Sequence, residues 1–220
     1  MYNISMFNKD IYILGVGHNT IVTIDLAEAC GYRIAGLYHY EKSRVGEYYF
    51  GHKIVGTNED LFEKDLSDKN FAISVGNNII RSELFNNLIN KGGNIPNLIH
   101  PSAVVSKYSK FGRGLQVHAL CVIDPDVIIG DDCMISDGSI VNHSVVMNNH
   151  CFVACNVVVG AYTKVNDFSF IGSGATLISG KASSIGYNSI IGAGAVVTKP
   201  VKDNIVVVGN PAKFFKRNGE

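Results

Sequence analysis

The chain has no excess of charge of either sign. Nineteen acidic and nineteen basic residues cancel, so no global field draws it to nucleic acid or to an anionic membrane. Long apolar runs are missing too. Stretches such as NIVVVGN (204–210) are far too short to span a bilayer. The first ten residues, MYNISMFNKD, lack the charged-then-apolar order of an export signal and read as a loose leader. No CxxC pair occurs among the five cysteines, Cys30, Cys121, Cys133, Cys151 and Cys155. An odd count without an export signal reads as free thiols in a reducing, cytoplasmic setting.

What is present falls into two halves with different patterns. Residues 1–97 alternate strand and helix: strands at 10–15, 32–40 and 71–77, helices at 21–32, 58–70 and 79–92. That alternation predicts a small Rossmann-like parallel α/β sheet. Between the first strand and first helix lies GVGHNT (15–20). Glycine there lets a backbone approach a phosphate at a helix N-terminus. Thr20 replaces the third glycine of the dinucleotide fingerprint, and LYHYEK (37–42) offers no acid right at the strand tip. The reading is therefore some nucleotide-bearing ligand rather than NAD, with a plain tight turn as the competing reading.

Residues 98–220 repeat with a period of six. From Ile99 through Val117, Val141, Val159 and on to Leu177, fourteen successive hexads begin with a bulky apolar residue. Chance would give this less than about once in a hundred thousand trials. Four residues after most anchors comes a small or β-branched residue, such as Cys121, Cys133, Ser139 or Cys151. The phase slips by two at LISGKASS (177–184) and resumes at Ile185. Six fits neither a helix nor a hairpin. It fits a triangular solenoid whose anchors point inward and whose coils of eighteen residues stack about 4.8 Å apart. Cys133 and Cys151 then stack inside as inert thiols.

Such hexads resemble those of left-handed parallel β-helix acyltransferases. The whole chain is similar to the sialic-acid O-acetyltransferase and nucleotide-amino-sugar N-acetyltransferase family. The resemblance rests on IYILGVGHNTIV (11–22), ISVGNNIIR (73–81), NLIHPSAVV (97–105), VNHSVV (141–146), IGSGA (171–175), IGAGAVVTKPV (191–201) and VVVGNPAK (206–213). It implies an acetyl-CoA-dependent N-acetyltransferase acting on the amine of a nucleotide-linked amino-dideoxy sugar, assembled as a homotrimer with its site between subunits. An O-acetyltransferase of sialic-acid type and a non-catalytic nucleotide-sugar scaffold are the alternatives.

By position in the family's pattern, His143 is the general base. An imidazole titrating near neutrality can take the acceptor's proton, a step worth typically about 10²–10⁴-fold. The family's acidic residue after the histidine is here Ser144, which can orient the ring but carries no charge. Asp126, eighteen residues before Ser144 and hence one coil below, is expected to supply it, more so than Asp124. The family's second, acetyl-CoA-contacting histidine falls on Phe152. His150 is read as a solvated turn residue. Ser173 and Ala193 are expected to offer backbone groups to acetyl-CoA, and Lys213, Lys216 and Arg217 to lie near its phosphates. Gly15, Val16, Gly17, His18 and Gly76 match the family's nucleotide-sugar positions. Tyr38, His39 and Tyr40 stand where an acidic pair is common, so an aromatic could stack on the base. No metal is expected: His118, His143 and His150 do not have the spacing that zinc-dependent β-helix enzymes need.

Overall fold

The computed structural model describes residues 9–219. All but the last two residues of the expected leader lie outside them. The chain divides into two compact units, Met1–Pro96 and Asn97–Glu220.

The first unit is a five-stranded sheet. In chain order its elements are β1 (Asp10–Leu14), α1 (Thr20–Ala29), β2 (Arg33–His39), β3 (Tyr48–Tyr49), β4 (His52–Thr57), α2 (Asn58–Phe62), β5 (Asn70–Ile73) and α3 (Asn78–Asn90). The strand order is β3-β4-β2-β1-β5, with only the β3–β4 pair antiparallel. Ile11, Ile13, Leu14, Leu37, Ile54 and Phe71 are fully buried. Continuous apolar strands of this kind are what a parallel sheet covered on both faces demands.

Two features differ from the sequence reading. The helix expected over 58–70 stops at Phe62. Thr57 caps its start by accepting the Asp60 N–H at 3.0 Å. Downstream, the Asp65 carboxylate accepts from the Ser67 N–H and hydroxyl, and this local turn competes with helix. The β3–β4 hairpin was not anticipated. Phe50 and Gly51, at φ +47° and +80°, make its two-residue turn, a left-handed pair that suits the twist of a hairpin.

The second unit is the solenoid. Two-residue strands recur every six residues and form three parallel sheets, one per face of the triangle. The first face runs from Leu98–Ile99 through Phe152–Val153 to Ile205–Val208, with Lys213–Arg217 added antiparallel at its end. The second runs from Val104–Val105 through Ile140–Val141 to Val196–Val197, and the third from Lys110–Phe111 through Val146–Met147 to Ser184–Ile185. Partners lie eighteen residues apart, as in Val122 with Ile140. Past the phase slip the interval becomes twenty, as in Thr176 with Val196, and buried Ala182 fills the widened corner.

Anchors from Val117 to Val197 are at most 1% exposed. Burying each such side chain is worth about 1.5–3 kcal/mol. Interior serine hydroxyls find backbone partners, as where Ser139 Oγ donates to Ala154 O at 2.8 Å and accepts from Val157 N–H at 3.1 Å, whereas the buried Thr163 Oγ1 has none among the described residues. The glycines that follow anchors have a steric cause. A Cβ at Gly172 would lie 2.6 Å from Ala193 N, and one at Gly160 would collide with Leu177 O. At the corners the second turn residue is left-handed at every sixth position, for example Leu120, Asp126, Asp132, Ser144, His150, Tyr162 and Phe168, with φ between +54° and +64°.

Candidate active site

In the first unit a cavity of about 480 Å³ opens at the carboxyl ends of the parallel strands, lined by Gly15, Val16, Gly17, His18, Asn19, His39, Tyr40, Ser74, Val75, Gly76 and Ile80. The chain runs outward from β1 to β2 and β4, then returns to β5 on the other side of β1. That reversal creates the crevice where open α/β sheets bind ligands. Gly15 has φ +96°, and a Cβ there would meet Val75 Cγ2 at 2.8 Å. A Cβ on Gly17 would meet nothing within 4 Å, so its backbone faces open space. Thr20, in place of the third glycine, is fully buried and ties the loop down. Its hydroxyl accepts from Gly17 N–H at 2.8 Å and lies 3.0 Å from Ser74 Oγ. No side chain caps α1 and no acid stands in its first turn, so its amide end remains available to an anion.

At the tip of β2 the three aromatic positions separate. Tyr38 is only 7% exposed and packs against Tyr12 in the core, with ring centroids 5.8 Å apart. It does not line the cavity, contrary to the sequence reading, because alternation along β2 turns it toward the helices. His39 does line it, its Nδ1 accepting the Glu41 N–H at 3.0 Å. Tyr40, 72% exposed, lies over His39 at 4.4 Å and is the aromatic open to a ligand. Tyr49 went unseen in the sequence. From the hairpin its hydroxyl donates to Gly17 O at 3.0 Å, holding the glycine loop from above.

On the solenoid, His143 is exposed at the corner between the second and third faces. Its Nδ1 lies 3.4 Å from Ser144 Oγ, which donates to Asp126 Oδ2 at 2.9 Å. Tyr162, one coil on, meets the imidazole edge-to-face at 5.1 Å. It too was missed, although it stands eighteen residues after Ser144, the same interval that pointed to Asp126. His150 is not a solvated turn residue. At the next corner its Nδ1 pairs at 2.9 Å with Asp132 Oδ2, whose side chain is 2% exposed, and its ring stacks on Phe168 at 5.0 Å. The eighteen-residue spacing of Asp132 and His150 explains the pairing.

Ser173 and Ala193 are exposed on adjacent coils at the corner between the first and second faces, joined by a Gly194 N–H to Ser173 O bond of 2.8 Å. A Cβ on Gly174 or Gly194 beside them would meet nothing within 4 Å, which leaves bare backbone along this corner. Phe152 lies half-buried on the first face, edge-on to Phe170 at 5.3 Å. The structure thus separates Ser173 and Ala193 from His143 by the whole second face, with Phe152 on the adjoining first face. Lys213, Lys216 and Arg217 are exposed on the final strand, and Arg217 borders a cavity of about 660 Å³ with Lys199 and Lys202. His118 is buried and His100 bonds to Ser102. No cluster of three metal-ligating side chains occurs among the described residues.

A Rossmann-like unit followed by a hexapeptide solenoid, with an exposed histidine at one corner and bare glycine backbone at another, defines a left-handed β-helix acyltransferase with an added N-terminal domain. Comparison with known proteins narrows this. Residues 10–88 match the PglD N-terminal domain family. PerB from Caulobacter crescentus, solved with CoA and GDP-perosamine, superposes with a TM-score of 0.85 at 31% identity over 94% of this chain and 97% of that one. The acetyltransferase domain of PglB from Neisseria gonorrhoeae, solved with acetyl coenzyme A, gives 0.86 at 27% identity over 94% and 100%. GDP-perosamine N-acetyltransferase of Escherichia coli O157:H7 is 29% identical over 92% of this chain and 93% of its own length. Matches to two yeast putative acetyltransferases span only about a quarter of those proteins, 26% and 27%. The chain belongs to the NeuD/PglD-like family of sugar acetyltransferases.

Proposed function

We propose that this protein transfers the acetyl group of acetyl-CoA to the amine of a nucleotide-linked amino-dideoxy sugar, with His143 as general base. The observation that carries the reading is a likeness running through both units at once, to a structure holding both CoA and GDP-perosamine. The cavity behind Gly15, Gly17 and Gly76 has the features a nucleotide diphosphate needs: room for close approach beside Gly17, which has no side chain, and the amide end of α1. His18 and His39 border it, and Tyr40 offers a face on which a base can stack.

In the reaction the amine nitrogen attacks the thioester carbonyl. The N–C bond forms while His143 takes the amine proton, and the C–S bond breaks as CoA leaves, its thiolate sulfur receiving that same proton back from His143. No enzyme nucleophile is required. Ser173, Ala193 and Phe152 are assigned to the cofactor. Because a face of the prism, roughly 15–20 Å wide for a six-residue side, separates them from His143, one chain alone does not bring acyl donor and base together. A second copy presenting its cofactor corner to His143 completes the site, in keeping with a homotrimer. Among the described residues no helix is long and apolar enough to cross a membrane, and a cytoplasmic setting fits a reaction on nucleotide sugars.

The test is an acetylation assay with acetyl-CoA against a panel of UDP-, dTDP- and GDP-linked amino sugars, with His143→Ala as control. Turnover on an amine that His143→Ala abolishes is the expected result. Turnover only on a sialic-acid hydroxyl would replace the N-acetyltransferase reading by the O-acetyl one. Absence of any thermal stabilisation by acetyl-CoA would leave a nucleotide-sugar scaffold instead.

A further inference from the structure

The proposed base has no acid beside it in sequence, yet a carboxylate reaches it through one hydroxyl. Asp126 and Ser144 are the second turn residues of successive coils at one corner, with φ +61° and +58°. Identical left-handed geometry sends their side chains out in the same direction. The Ser144 N–H to Pro125 O bond of 3.3 Å ties the two turns together. Ser144 Oγ therefore stands 2.9 Å from Asp126 Oδ2 and 3.4 Å from His143 Nδ1.

We infer that Asp126 acts through Ser144 as a positioning relay that fixes the proton of His143 on Nδ1 and leaves Nε2 as the atom that accepts the acceptor's proton. The inference rests on the reading of His143 as general base and deepens it. Counting protons forces the direction. A carboxylate only accepts, so the single hydroxyl proton of Ser144 points at Asp126. Toward the imidazole the hydroxyl then presents only lone pairs, so a hydrogen bond across this 3.4 Å gap has Nδ1 as its donor. A neutral ring with hydrogen on Nδ1 has a bare Nε2. Tyr162, edge-on at 5.1 Å from the next coil, walls the ring on the side away from Asp126 and restrains its rotation. When Nε2 takes the proton, the Nδ1–H bond to Ser144 shortens, since catalytic hydrogen bonds commonly tighten as charge develops. The Asp126 charge, one hydroxyl away, then stabilises the imidazolium. Asp126 touches no reacting atom.

Two measurements test this on the full chain. The first needs no acceptor: nitrogen-15 NMR of histidine-labelled protein at about pH 8.5, above the ordinary imidazole range, with His143 assigned by its loss in His143→Gln. The expected signal is the Nδ1–H tautomer, moving toward Nε2–H in Ser144→Ala and in Asp126→Asn. An Nε2–H tautomer in the unaltered protein overturns the relay.

The second is steady-state kinetics with acetyl-CoA and GDP-perosamine as probe, or whichever member of the panel above is turned over. Asp126→Asn and Ser144→Ala each lower kcat about 10–100-fold with KM little changed, a size typical of a residue that orients a functional group. The double variant is no worse than either single one. Ser144→Asp in the Asp126→Asn background places a carboxylate directly beside the ring and restores most of kcat. Additive losses, an unaltered rate in Asp126→Asn, or no rescue each sink the relay. If His143→Ala abolishes turnover while Asp126→Asn does not lower it, the relay fails and the general base stands. If His143→Ala retains full turnover, both fall.

Discussion

The two units of this chain hold their cores together by different means. In the α/β unit, core partners come from elements distant in sequence: β1 pairs with β2 on one side and β5 on the other, and Asn70 reaches the Asp10 carbonyl sixty residues away. In the solenoid every coil meets only the coils above and below, at a nearly constant interval. The first arrangement builds a cavity by bending three different loops toward one point. The second builds corners, each a copy of the last, and varies only the side chains mounted on them. Glycine shows the contrast most directly. At Gly17 of the cavity it leaves the space beside it empty; at Gly160 and Gly172 of the solenoid it lets the backbone of the next coil close in.

That contrast is open to measurement. The largest effect is expected from Gly160→Ala, whose added methyl collides with backbone of the following coil. It should cost about 3 kcal/mol or more, read as a collapse of the denaturation midpoint or loss of soluble protein. Gly17→Ala, with empty space around its new Cβ, should leave the midpoint nearly unchanged and weaken nucleotide-sugar binding in calorimetry. Equal destabilisation by the two would erase the distinction.

A smaller effect follows from Tyr49→Phe, which removes the bond to Gly17 O. A loss of about 0.5–1.5 kcal/mol is expected, with a greater change in acceptor KM than in kcat. Thiol chemistry separates interior from surface without altering stability. Burial pushes the Cys121 and Cys151 thiols up, so these two and buried Cys133 should resist alkylation until unfolding, while half-buried Cys30 and Cys155 react. Mass spectrometry after a timed iodoacetamide pulse reads this.

The smallest effect belongs to the exposed Arg33–Asp10 pair, 2.6 Å apart. The hydrogen bond from Arg33 holds the Asp10 carboxyl below its usual range. Its contribution is therefore present above the unfolded carboxyl's pKa and is lost as pH falls through the folded one. Arg33→Gln should show a slight deficit at neutral pH that disappears in acid.

The same contrast governs what could be read from residues alone. In the solenoid a single interval predicted inward anchors, stacked thiols and the neighbourhood of Asp126 and Ser144. It also contained Tyr162 and the Asp132–His150 pair, but only when applied to every corner residue rather than to the serine alone. In the α/β unit no such rule exists. The β3–β4 hairpin is short and carries little alternation, so Tyr49 over the glycine loop was invisible. Tyr38 and Tyr40 look equivalent in sequence, but β2 ends at His39, so Tyr38 packs in the core from within the strand while Tyr40 lies past its end and meets solvent.

The recurring left-handed corner has one more consequence. Each position on it owns two sets of neighbours, those adjoining along the chain and those a full circuit away, and the backbone needs no change to trade one for the other. A group deleted beside a reactive residue can be restored from the storey beneath. Such a scaffold can tolerate unfamiliar local motifs while keeping its chemistry, so relatives are better compared column by column than letter by letter.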